Sequence, residues 1–158
     1  MSELNPTSSP TALDPDRAAQ LQASMSEQGM LLHLGAAMTW VEAGEVEITL
    51  PFSERVTQQH GYFHGAAVTS VVDSACGYAA MTLLEPGVEV LSIEFKVNFM
   101  APAQGTQIRA VGRVVKSGRR ISICEGDVYA VDRDGAPVHC ARMLTSIMHV
   151  RKTNDEHA

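Results

Sequence analysis

Residues 57–84 read TQQHGYFHGAAVTSVVDSACGYAAMTLL, and the reading of this stretch decides the fold. From Ala66 to Leu84 it reads as a helix. Small residues dominate it: Gly65, Ala66, Ala67, Ser70, Ser74, Ala75, Gly77, Ala79 and Ala80. The bulkier Val68, Val71, Val72, Met81 and Leu83 fall on several sides rather than on one stripe. A helix that is apolar or small all round is buried all round, so other elements must wrap this one. Its one full charge is Asp73. Aspartates are seldom buried without a partner or a task.

Downstream, residues 88–99 alternate strictly. Leu91, Ile93, Phe95, Val97 and Phe99 take one side, and Ser92, Glu94, Lys96 and Asn98 the other. That is the period of a half-buried strand. Further strands are expected over 105–116, 120–131 and 137–150, with Ser117-Gly118 as one turn and Asp132-Arg133-Asp134-Gly135 as a hairpin signal. Upstream, residues 34–43 and 45–51 read as two strands around Ala43-Gly44, and 52–63 as a loop. Asp14-Pro15 starts an N-terminal helix as N-cap and first helical residue, with Gly29 as its stop near Gln28. The order is helix, two strands, long buried helix, four strands. This predicts an α+β chain in which a curved antiparallel sheet wraps a central helix, with an extra helix at the N-terminus. Residues 1–13 are expected to be a disordered tail, 14–150 a single domain and 151–158 a frayed end.

With 158 residues, 45% of them apolar, the chain can bury a sizeable core. A net charge of −6 argues against a nucleic-acid surface. No apolar run reads as a membrane span, and the first residues carry neither a basic start nor an apolar signal core. Cys76, Cys124 and Cys140 fit neither a disulfide framework nor a metal site. A reduced, cytoplasmic protein without a metal or a resident cofactor is the expectation.

The central stretch also has chemistry to offer. Backbone amides at a helix N-terminus are unpaired and partly positive, and a glycine there lets a ligand approach. The Gly65 amide is therefore placed to stabilise an oxyanion. Asp73 lies eight residues on, about 12 Å along the axis. One carbonyl cannot meet both groups on the same helix. Two copies packed antiparallel about a two-fold axis would bring the start of one helix beside the middle of the other, so a site using both residues implies at least a homodimer.

Here the residues resemble a known family. The run QQHGYFHG followed by Asp73, with the SIEFKVNFMAP strand at 92–102, is similar to the motifs of hotdog-fold acyl-CoA thioesterases, in the PaaI-like, phenylacetate-degradation branch of the 4-hydroxybenzoyl-CoA thioesterase superfamily. With the element order, the resemblance spans residues 30–150. It implies an acyl-CoA thioester hydrolase with Asp73 as nucleophile or general base and Gly65 as the oxyanion-hole amide. It also implies that His64 shapes the turn or contacts the thioester, that Gln58 lies near the attacking water or carbonyl, and that Ser92 stands beside the carboxylate. Ala66 replaces the second glycine of the family's HGG turn. Relatives of this kind often form homotetramers. Lys116, Ser117, Gly118, Arg119 and Arg120 make a basic turn on an acidic chain, a candidate for the CoA phosphates.

Plainer readings stand beside these. Asp73 could cap a neighbouring backbone, His64 could merely orient the turn, and a basic turn is commonly just solvated. Two other functions compete: hydration or dehydration of an acyl thioester, using His64 with Asp73, and a non-catalytic acyl-CoA binding module. The acyl group, its carrier and the choice between nucleophile and base stay open at this level.

Overall fold

The computed structural model describes residues 12–151. The expected tails at 1–11 and 152–158 lie outside the described residues. Asp14 caps the first helix, α1 (Pro15–Met25), by accepting from the Asp16 amide at 2.8 Å, and Pro15 takes the first turn as expected. The helix ends earlier than the sequence suggests, at Met25. Gly29 is not its stop but the start of a second short helix, α2 (Gly29–Leu34), which Gly35 closes at φ +82°. Leu31 explains the difference: its side chain is buried in the core, and the extra turn puts it there.

The remaining elements are β1 (Ala37–Glu42), β2 (Glu45–Pro51), a single 3-10 turn (Glu54–Val56), α3 (Gly65–Met81), β3 (Val88–Phe99), β4 (Gln107–Ser117), β5 (Ile121–Val131) and β6 (Val138–Arg151). The first strand starts at Ala37 rather than at 34, because Leu34 closes α2, and the central helix stops at Met81 rather than Leu84. All five strand pairings are antiparallel, in the order β1-β2-β4-β5-β6-β3. The α+β architecture anticipated from the sequence is the one observed: six strands packed on α3, with α1 added at the N-terminal side.

The small residues of α3 account for how closely the sheet approaches it. Val68, Val71, Val72, Ala75 and Ala79 are fully buried against Ile48, Ile108, Val128 and Met143. At Gly112 of β4 an added Cβ would lie 2.3 Å from the Ala75 carbonyl carbon and 2.4 Å from the Cys76 nitrogen. Backbone meets backbone here, which only glycine on the strand permits. Helix α1 lies against β1 and buries Leu21 and Met25 in the core. The Arg17 guanidinium also donates to the Met81 carbonyl at 2.9 Å, satisfying one of the orphan acceptors at the C-terminal end of α3.

One sequence expectation fails on a single chain. The alternation over 88–99 predicts a covered apolar face, yet Leu91, Phe95 and Phe99 are 57%, 46% and 56% exposed. Strand β3 is the sheet's edge, and a bulge between Ser92 and Glu94 breaks the alternation: Ser92 turns to Asp73 on the α3 side, which it shares with Val97 and Phe99, and Leu91 falls on the other face. Among the described residues, no helix is long and apolar enough to cross a membrane.

Candidate active site

Asp73 sits midway along α3 on the face left uncovered by the sheet's centre. Its carboxylate accepts a hydrogen bond from the Ser92 hydroxyl at 2.7 Å, so the expected pairing of helix and β3 is present. Burial raises the Asp73 pKa above the ordinary carboxylate value, and the Ser92 hydrogen bond pulls it part of the way back. No cation lies against it among the described residues. Asp127, also enclosed, is a useful contrast. It faces His139 at 2.8 Å, Arg113 at 3.4 Å and Arg142 at 3.5 Å on the outer face of the sheet, as a structural carboxylate does. Asp73 instead lines a cavity of about 280 Å³. Its floor is one face of α3 (Asp73, Gly77, Tyr78 and Met81), and Ser24 and Gln28 of the N-terminal segment stand at its end.

The start of α3 faces a different hollow. His64 is the N-cap: its Nδ1 accepts from the Ala66 amide at 3.0 Å, while its own amide donates to the Val56 carbonyl at 2.7 Å. A neutral imidazole that accepts at Nδ1 carries its proton on Nε2. The Gly65 amide, one of the unpaired donors of the first turn, has no acceptor among the described residues. Gly65 lines a cavity of about 450 Å³ together with Gln58, Tyr62, Phe63, Val68 and Phe99. The Phe99 ring closes over it, so a Cβ at position 65 would come within 3.2 Å of that ring. Gln58 reaches this cavity while its Oε1 accepts from the His60 amide. No residue lines both cavities. The predicted site residues therefore fall into two groups on one chain: Asp73 with Ser92, and Gly65 with His64 and Gln58.

The basic turn is found at a third place. Ser117, Gly118, Arg119 and Arg120 line a groove of about 440 Å³ beyond Leu84 and Val88, while Lys116 is not part of its wall. His149 and Arg151 of β6 join it there, which no sequence signal marked because they come from a strand thirty residues on. His149 is held in place by Ser122 at 2.9 Å. The sequence reading also missed Ser24, Gln28 and Tyr78. The Tyr78 hydroxyl accepts from Gln28 Nε2 at 2.8 Å and lies 3.3 Å from Ser24 Oγ. The three cysteines are buried and free. Burial pushes the Cys124 thiol up to about 12, so it is a poor source of thiolate.

A hotdog arrangement with a lone carboxylate in the middle of its central helix defines a class, and comparison agrees: the chain belongs to the Thioesterase superfamily, whose family model matches residues 60–136. It is a thioesterase-family hydrolase. The solved structure of a thioesterase family protein from Silicibacter pomeroyi is 38% identical, superposes with a TM-score of 0.82, and covers 85% of this chain and 98% of its own. The proofreading thioesterase EntH of Klebsiella pneumoniae is 30% identical over 130 residues, covering 82% of this chain and 93% of the relative. A 1,4-dihydroxy-2-naphthoyl-CoA hydrolase of Listeria monocytogenes is 26% identical over 97 residues, 61% of this chain and 79% of that one.

Proposed function

We propose that the protein hydrolyses acyl-CoA thioesters at a site completed by a second copy of itself. The observation that carries this reading is Asp73: a half-buried carboxylate facing a cavity, held by one hydroxyl and neutralised by no cation among the described residues. Such a group keeps its basicity for a substrate instead of spending it on an ion pair. The thioester carbonyl needs an oxyanion donor as well, and the unpartnered Gly65 amide is suited to it. The two lie about 12 Å apart on one helix, too far to share a carbonyl. The exposed apolar residues of β3 supply the reason for a second copy. Leu91 borders the Asp73 cavity, Phe99 borders the Gly65 cavity and Phe95 lies between them along the strand, and an edge strand with apolar residues so exposed is a template for pairing. Two edges paired about a two-fold axis would cover these residues and bring Asp73 of one copy to the Gly65 end of the other. A tetramer would be two such pairs.

In the reaction, water adds to the thioester carbon, the carbon–sulfur bond breaks, and free acid and thiol leave. As a general base, Asp73 takes one proton from the attacking water. As a nucleophile, it forms an anhydride that water then opens. Gln58 lies on the Gly65 side, where it can orient the water or the carbonyl. The groove of Arg119, Arg120, His149 and Arg151 is suited to the phosphates of CoA, and the naphthoyl-CoA relative favours that carrier. Three buried free thiols suit the cytoplasm. With Nδ1 taken by the Ala66 amide, His64 offers Nε2–H as a donor and not as a base, so a hydratase at this site would have to use Asp73 as its base.

The test is release of free thiol from aryl and aliphatic acyl-CoAs by the wild type and by Asp73→Asn. Turnover that disappears in the variant supports the reading. Equal turnover in both proteins puts the chemistry on another residue, and tight binding without turnover makes the protein a binding module.

A further inference from the structure

The cavity beside Asp73 has an end, and the N-terminal segment builds it. We infer that helix α1 and the residues just after it are the specificity wall of the acyl pocket, with Tyr78 and Gln28 fixing how long an acyl group can be. The inference rests on the thioesterase reading and adds to it a determinant of acyl size.

Several observations converge. Ser24 and Gln28 line the same cavity as Asp73 and Ser92, although they lie some fifty residues away in sequence. Both are tied to one atom, the Tyr78 hydroxyl, at 3.3 and 2.8 Å. Arg17 pins the same helix to the Met81 carbonyl, and Leu21 and Met25 bury its apolar side. The wall is therefore held by polar contacts on one flank and packing on the other. From Asp73 to Tyr78 is five residues, about 7.5 Å along α3, and to Met81 about 12 Å. That interval is a short one, suited to a ring or a short chain. The long limb of a CoA thioester must run out to its phosphates in solvent, so a cavity ending on α1 suits the shorter, acyl limb. Gly77 stands in the middle of the floor. A Cβ built there meets only a Val90 methyl at 3.7 Å, an ordinary contact, so the missing side chain is room left for a ligand.

Opposite substitutions test this. Tyr78→Phe keeps the ring and its packing but breaks both hydrogen bonds, and Gln28→Ala removes one partner. Each should move the acyl-length profile toward longer chains, raising the long-to-short ratio of kcat/KM about tenfold, the scale of a methylene or two accepted or refused by a pocket. Gly77→Leu fills the floor without opposing the helix and should move the profile the other way. Thiol release from straight-chain acyl-CoAs of increasing length gives the profile, thermal melts report folding, and free CoA as an inhibitor reports the other limb.

Shifts in opposite directions with unaltered CoA inhibition support the wall. Lower melting temperatures with every chain length slowed alike would make the cluster merely structural and overturn it. Inhibition by free CoA weakened in step with a uniform rise in KM would mean the cavity holds the CoA limb, overturning it by another route. If the wild type released thiol from no acyl-CoA, the thioesterase reading would fall first and this inference with it.

Discussion

Gly112→Ala is the sharpest perturbation the packing offers. Position 112 faces the Ala75–Cys76 peptide of the central helix, and the new methyl would sit 2.3 Å from the Ala75 carbon and 2.5 Å from its oxygen, where ordinary contact begins near 3.4 Å. Relief needs a shift of about 1 Å between two backbones. Neither side is a flexible side-chain tip that could swing away. Overpacking of this kind costs about 1–3 kcal/mol, and a backbone-on-backbone clash belongs at the upper end. For a chain of this size about 3 kcal/mol corresponds to a melting temperature lower by roughly 6–12 °C. The consequence for activity is separate. Ala75 is two residues beyond Asp73, so the same displacement moves the carboxylate relative to Ser92 and the cavity. A 1 Å misplacement can cost about a hundredfold in rate. Urea unfolding at fixed protein concentration measures the first effect, and kcat/KM for a good thioester the second. Gly77→Ala is the control for the stability measurement alone, because its Cβ has room and alanine favours a helix interior by about 0.5–1 kcal/mol, whereas its methyl enters the cavity beside Asp73. Gly112→Ala within about 0.5 kcal/mol of wild type would refute the close-approach argument.

Three further outcomes are expected. Asp73→Asn should be more stable than wild type at neutral pH. Because the folded pKa is raised, the native state holds a proton that the unfolded state releases, so stability falls as pH rises through the window above 3.8, and the variant's advantage should fade as pH drops below it in thermal melts. Ser92→Ala removes the hydrogen bond that lowers the Asp73 pKa, so the acidic limb of kcat/KM should move to higher pH; a profile unchanged in position would mean the hydroxyl does not sense the catalytic charge. Phe95→Asp puts a charge on the exposed edge face and should give monomers in sedimentation with activity lost alongside; active monomers would end the two-copy site.

Much of the candidate site was legible because its signals are local. Gly65 at a helix start and Asp73 in an apolar helix can each be read within one stretch, and the rise per residue alone separates the two; His64 entered through resemblance as a residue that shapes the turn, and its capping bond to Ala66 belongs to the structure. Ser92 was legible only through resemblance; nothing in its strand's alternation says which element it faces. Tyr78 carries no signal in the sequence, since no pattern links it to Gln28 at a distance of fifty positions. The basic turn was visible as a run of charge, whereas His149 and Arg151 were not, because only the pairing of β6 with β3 and β5 brings them to it.

By itself the sequence determined the order of the elements, the helix that must be wrapped, and the carboxylate inside it. These follow from periodicity and residue size, which act over a few positions along the chain. Tertiary structure alone decided that the N-terminal helix breaks in two and walls a cavity, that Gly112 carries the helix on its backbone, and that the most regular apolar alternation lies on an open edge. The physical reason is that alternation states how much surface wants to leave water but not what will cover it. On β3 the described residues leave Leu91, Phe95 and Phe99 open.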